Sequence, residues 1–340
     1  MLEHTPAAWD RHAPWWLPGG NTQTIWPALY AQRVAVAAPA LARERWHTPD
    51  GDFVDVDHAQ VPGRPQAPLL VLFHGLEGSS GSHYAQAFGE AAKARGWAYA
   101  VPHFRGCSGE INLAPRAYHS GDHVEIDWLL RQAVERWGRR PVVAVGVSLG
   151  GNALLRWAQE HGGAAGRVVS ALAAVSAPVD LAAAGRAIDR GFNRWVYARM
   201  FLKTMVRKAE AKWAQFPGLF DLEAVRRART LHAFDNLFTA PLHGFRDTED
   251  YWQRAAAKPG LRAVQVPSLV LNAHNDPFVP GDSLPTPQDV GPSVTLWQPR
   301  CGGHVGFARS VRPWGLPGQV WSMPVGVVDW LAQAGGLPRG

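Results

Sequence analysis

Ser148 stands between Gly146 and Gly150, directly after the apolar run "PVVAVGV". A serine hydroxyl is a poor nucleophile at neutral pH unless a histidine takes its proton and a carboxylate orients that histidine. The spacing G-x-S-x-G, after a buried strand and before a helix, is that of a nucleophile elbow. There the serine occupies strained backbone so that its hydroxyl projects from the sheet, and a Cβ at either glycine would collide with the neighbouring strand or helix. In such an arrangement the partners follow in the order Ser, Asp or Glu, His. Asp276 lies just beyond the run "SLVLNAHN", with Asp282 and Asp289 as rivals and a turn role before Pro277 as its structural alternative. Of the fourteen histidines, only His304 follows Asp276, in the glycine-rich loop "CGGHVGF".

Acyl transfer also needs donors for a developing oxyanion. The backbone N–H of Leu149, next to the serine, is one candidate, and the N–H of Leu76 in the loop "HGLEG" is the other. Gly75 and Glu77 of that loop, Arg105 and Cys107 of "FRGCSGE", and His243 of "TAPLHGF" are candidate substrate contacts. A bracing role for Glu77 and for the Arg105 loop is the alternative. Neither an H-E-x-x-H pair nor a Gly-Lys-Ser/Thr phosphate loop is present, so no metal and no cofactor is expected.

The elements that must position these residues are legible in the hydrophobic pattern. "PLLVLF", "WAYAVPHF", "PVVAVGV" and "RVVSALAAVSAP" are short continuous apolar runs. They alternate with helical stretches expected near His83–Ala94, Asp122–Trp137 and Leu149–Glu160, which is the pattern of a mostly parallel sheet covered on both faces. "FVDVDHAQV" alternates as a half-exposed strand would. The α/β alternation lapses between Val179 and Gly260, where Trp195, Ala198, Leu202, Met205 and Ala209 recur at helical spacing beside Arg199, Lys203 and Arg207. It resumes with "VPSLVLNAHND" and "SVTLWQP" and closes with a helix near Val325–Ala334. The expected organisation is one α/β core, residues 1–178 and 261–340, with an N-terminal Trp/Pro-rich extension over 1–40 and an inserted helical cap over 179–260.

Composition narrows the class. Hydrophobic residues make up 46% and charged residues 18% of the 340, which fits a folded globular chain and excludes a disordered or fibrous one. The net charge of +6 is concentrated between Arg186 and Arg229, where eleven Lys/Arg face four Asp/Glu. Without a recognition motif this basicity does not indicate nucleic-acid binding; a basic cap meeting anionic surfaces, in peripheral membrane contact, fits better. The sixteen tryptophans suit either a core or an apolar ligand tunnel. Two cysteines far apart in sequence suggest reduced thiols in a cytoplasmic protein. The N-terminus lacks a basic start followed by an apolar run, so no signal peptide is expected. A monomer is expected.

The segments "GGNTQTIWP", "FHGLEG", "FRGCSGE", "YHSGD", "GVSLGGN", "DNLFTAPLHGF", "NAHNDPFVP" and "GGHVGF" together extend over nearly the whole chain. In them the sequence resembles the hydrolase-4 subgroup of the α/β-hydrolase superfamily, which holds bacterial proteins classed as esterases and the α/β-hydrolase-domain phospholipases of animals. The resemblance implies an α/β-hydrolase fold, with Ser148 as nucleophile, Asp276 as orienting acid and His304 as base, and carboxylic-ester or lipid-like substrates. The membrane anchor of the animal relatives has no counterpart in this N-terminus, so a soluble esterase is expected. The same triad would also serve a phospholipid acyl hydrolase or a thioesterase. A non-catalytic lipid- or protein-binding module is the reading from a different class.

Overall fold

The computed structural model describes residues 13–310 and 316–337. Residues 1–12 of the N-terminal extension lie outside them. Eight strands form one sheet: β1 (Ala42–His47), β2 (Phe53–Ala59), β3 (Leu69–Phe73), β4 (Ala98–Pro102), β5 (Val142–Val147), β6 (Ala171–Val175), β7 (Ser268–Leu271) and β8 (Val294–Trp297). Their order is β1-β2-β4-β3-β5-β6-β7-β8. The pairs β1–β2 and β2–β4 are antiparallel, and every other neighbouring pair is parallel.

Side-chain alternation builds a core on each face. Leu69, Val71 and Phe73 point to one side, against α3 (His123–Trp137) and α4 (Leu149–His161); Leu70 and Leu72 point to the other, against α2 (His83–Ala94) and α9 (Ser322–Ala334). Burial of both faces explains why β3 to β6 read as continuous apolar runs. The final helix starts earlier than expected, at Ser322, because Pro324 sits within its first turn, where a missing N–H costs no hydrogen bond. Before the sheet, α1 (Gly19–Leu29) falls within the N-terminal extension.

Two expectations need correction. β2 is not half-exposed: Asp55 and Asp57 are buried. They are tolerated because Arg45 and Arg43, from β1, each meet one of them with two parallel hydrogen bonds, while Ser108 joins Asp55 and Ser80 and His103 join Asp57. Trp195 does not share the buried face of Ala198, Leu202 and Ala209. It lies in a π-helical turn, Arg194–Ala198, that precedes the regular helix, and it is 72% exposed. Of the fourteen tryptophans among the described residues, five are core, Trp46, Trp97, Trp157, Trp252 and Trp297, and the others are partly or fully exposed.

Between β6 and β7 the chain is helical, with α5 (Leu181–Ile188), α6 (Arg199–Gln215), α7 (Leu222–Arg227), α8 (Thr248–Ala255) and shorter turns. Asp180, Asp221 and Asp247 cap α5, α7 and α8 by accepting from the N–H three residues on. The helices share a small core of their own around Leu202, Ala209, Val225, Leu231, Phe234 and Phe238. Among the described residues, no helix is long and apolar enough to cross a membrane.

Candidate active site

β5 ends at Val147 and α4 begins at Leu149, so Ser148 is the single residue on which the chain reverses; its φ of 52° and ψ of −120° are strained for any residue with a side chain. Both flanking glycines are required by space. A Cβ on Gly146 would stand 2.4 Å from the carbonyl oxygen of Gly150, and one on Gly150 would stand 2.4 Å from that of Phe73.

Asp276 and His304 come to this serine from two loops beyond β7 and β8. Nε2 of His304 is 3.0 Å from Oγ of Ser148, and Nδ1 of the same ring is 2.8 Å from Oδ2 of Asp276. The other carboxylate oxygen of Asp276 accepts the N–H groups of Phe278 and Val279 at 2.7 and 3.2 Å, which fixes its plane. The Asp276 side chain is fully buried and the His304 ring is packed against Phe278 at 4.3 Å. The rival Asp289 is engaged elsewhere, accepting from Thr286.

Residues that the reading by spacing did not single out hold the histidine loop. Thr24 Oγ1, on α1, accepts the N–H of His304 at 2.8 Å; Gln23 Oε1 accepts that of Gly302 at 2.9 Å; Asn275 Oδ1 accepts those of Gly302 and Gly303 at 3.0 Å each. Gly306 packs so closely on α1 that a Cβ there would lie 1.8 Å from the carbonyl oxygen of Gln23. The segments "GGNTQTIWP" and "NAHND" were the signal available for these partners.

Leu76 and Leu149 line a cavity together with Ser148, and their backbone N–H groups find no acceptor among the described residues. The loop bearing Leu76 is fastened at several points. The Gly75 N–H donates to the buried Tyr84 hydroxyl at 2.9 Å, and the His74 ring bridges the Gly75 carbonyl and the Phe104 N–H at 2.7 and 3.0 Å. Burial pushes His74 down to about 3, so it is a neutral brace. Gly75 lies against Ser148: an added Cβ would be 3.1 Å from the serine Cβ. Glu77, at φ 56°, takes the Tyr118 hydroxyl at 2.7 Å and the Lys208 ammonium, from α6, at 2.8 Å.

The remaining candidates are placed as follows. The Arg105 guanidinium is buried and spans Asp50, Asp52 and Glu125 at 2.9, 2.7 and 2.5 Å, so its donors are engaged in bracing, although its side chain reaches the wall of a cavity. Cys107 lies beneath Lys208, 3.1 Å from its Nζ, and burial pushes the thiol up to about 11, away from nucleophilic character. His243 packs against His119 with ring centroids 4.5 Å apart and is held near 3 by burial and then by His119; neither ring lies beside Ser148. No group of three or more His, Cys, Asp or Glu that could hold a metal ion occurs among the described residues.

Three spaces meet at this centre. An outer cleft of about 1360 Å³, counting its open mouth, runs from Ser148 and His304 between α1 and the start of α6. Counted in the same way, open part included, an inner chamber of about 700 Å³ extends from the serine beneath α5 and α6, lined by Leu181, Ala184, Ile188, Phe201, Met205 and Trp252. A side chamber of about 560 Å³ is more polar, with Glu77, Tyr118, Lys208 and Asp235 in its wall. Asp235 borders both inner spaces, hydrogen-bonded to Thr239 and to Trp252 Nε1, and burial pushes its carboxyl up to about 6. A strained serine, a histidine–carboxylate pair, two free N–H groups and apolar space on both sides can hold an acyl ester for attack at its carbonyl.

The family model for the alpha/beta hydrolase fold matches residues 68–309, and the chain belongs to that family. "Putative esterase YheT" of Escherichia coli is 39% identical over 92% of this chain and 89% of its own length. "Phospholipase ABHD3" of Mus musculus is 29% identical over 92% of this chain and 77% of its own. "Monoacylglycerol lipase" of Saccharomyces cerevisiae is 27% identical over 80% and 61%, respectively. Among solved structures, the Pyrococcus furiosus esterase Pf2001 superposes with a TM-score of 0.52 at 13% identity, covering 87% of this chain and 90% of that one, a likeness of fold alone.

Proposed function

We infer that the protein is a serine hydrolase of carboxylic esters. The observation that carries this reading is the unbroken run from Asp276 through His304 to Ser148, at 2.8 and 3.0 Å, opening onto apolar cavities. His304 takes the proton from Ser148 as the hydroxyl attacks the ester carbonyl, and Asp276 stabilises the resulting imidazolium. The N–H groups of Leu76 and Leu149 hold the oxyanion, each worth roughly 10²–10³ in rate. Collapse of the tetrahedral adduct expels the alcohol, which takes its proton from His304. Water, activated by the same histidine, then releases the acid.

The inner chamber, with Trp252 and Leu181 in its wall, suits a short- to medium-chain acyl group, and the outer cleft takes the alcohol portion. The width of that cleft, with relatives named as a phospholipase and a monoacylglycerol lipase, also supports lipid acyl esters as substrates of the same triad. A series of p-nitrophenyl esters of increasing acyl length tests the reading. An optimum within the series, abolished in Ser148→Ala, is expected; equal hydrolysis by wild type and Ser148→Ala would refute it.

A further inference from the structure

The mouth of the outer cleft is apolar on both rims. On one side Leu29, near the end of α1, is 62% exposed; on the other, Val196 and Met200 line the cleft at i, i+4 spacing while remaining exposed themselves. Trp195 lies one residue from Val196, and Phe192 precedes it, likewise open to solvent. Large apolar side chains gathered at the entrance of a cavity mark a surface that meets something apolar.

The charge around this rim has one sign. Arg190, Arg194, Arg199, Lys203 and Arg207 are all exposed, and none is within 4 Å of a carboxylate among the described residues, although Arg194 lies near enough to the half-buried Asp189 to favour its charge. Elsewhere on the surface cations are commonly paired: Arg226 meets Glu210 and Glu223, Arg246 meets Asp247, and Arg254 meets Asp250. Arg199, Lys203 and Arg207 continue at four-residue spacing the stripe of α6 that begins with Trp195 on the preceding turn. The stripe therefore passes from apolar beside the cleft to basic along the helix.

We propose that this face is a docking surface for an anionic lipid bilayer, with Phe192, Trp195, Val196, Met200 and Leu29 entering the headgroup boundary and the five cations lying over lipid phosphates. Tryptophan is favoured at such boundaries, and unpaired arginine and lysine supply the attraction to anionic lipid. Because the docked rim is the mouth of the cleft, an ester dissolved in the bilayer passes to Ser148 without crossing water. That second step rests on the function inferred above; docking itself does not.

Co-sedimentation with vesicles tests the proposal, using equal parts phosphatidylglycerol and phosphatidylcholine in one set and phosphatidylcholine alone in the other. The wild type is expected to pellet with the anionic set, less so as salt rises, and to stay in solution with the neutral set. Arg199→Glu/Lys203→Glu is expected to weaken the partition about tenfold or more, and Trp195→Ser to weaken it at unchanged salt dependence. Both should hydrolyse a soluble short ester as the wild type does, and Ser148→Ala should pellet like the wild type, which separates docking from catalysis. Equal partition into both vesicle sets, indifference to the charge reversal, or a stable dimer in solution that Trp195→Ser dissociates would overturn it.

Discussion

Nζ of Lys208, on α6, lies 2.8 Å from Oε1 of Glu77, the residue that follows the Leu76 N–H. A helix from the segment between β6 and β7 is thereby tied to the loop that carries the Leu76 N–H, one donor proposed for the oxyanion. Burial opposes the charge on Lys208, but Cys107 and Glu77 beside it outweigh that and raise its pKa, so the ammonium persists.

Loss of this tie should loosen a donor that acts in the transition state more than in substrate binding. Lys208→Met is expected to lower kcat about tenfold with a smaller change in KM. Combined with Glu77→Gln it should cost little more than either change alone, because both remove one contact. Steady-state kinetics on a p-nitrophenyl ester measure it, and strictly additive losses would show that the two side chains act separately.

The His304 loop depends on α1. Thr24→Val keeps the volume but removes the acceptor for the His304 N–H. The expected outcome is a fall of about tenfold in the rate of acylation by a fluorophosphonate, since small misplacements of a base are costly. Far-UV circular dichroism should be unchanged.

Inner-chamber dimensions should set acyl length. Ala184, buried in the wall of that chamber, can be enlarged to leucine. Ala184→Leu is expected to reduce kcat/KM for the longest ester accepted by about tenfold or more, and to leave the acetyl ester near the wild-type value. A parallel loss on every chain length would place the acyl group elsewhere.

Acid should destabilise the protein through the Arg105 cluster. Burial disfavours ionised Asp52, but hydrogen bonds from Asn112, from the N–H groups of Leu113 and Phe53, and from Arg105 prevail, lowering its pKa to about 2. Since the unfolded chain binds this proton near pH ~3.9, the contribution is full above that value and is lost as pH falls towards 2. Thermal unfolding of the wild type should drop steeply across that window. Asp52→Asn should start lower at neutral pH and decline less steeply.

Much of this fold was legible because its information is local. Continuous apolar runs gave the strands from β3 onward, and the one histidine after Asp276 led to His304. What escaped notice depends on contacts far apart in sequence. Asp55 and Asp57 read as the polar side of a strand because nothing nearby announces Arg43, Arg45 or His103 as partners. Trp195 read as one face with Ala198, Leu202, Met205 and Ala209 because a π turn cannot be told from regular helix by spacing. Gln23 and Thr24 look like ordinary helix residues until α1 is placed under the "CGGHVGF" loop, some 280 residues later.

The central claim is that Ser148 is the nucleophile. Intact-mass analysis after fluorophosphonate treatment tests it most directly, on the wild type and on Ser148→Ala in parallel. A single covalent adduct on the wild type and none on Ser148→Ala is the predicted result. An adduct that persists on Ser148→Ala, or a folded wild type that takes none, would contradict it.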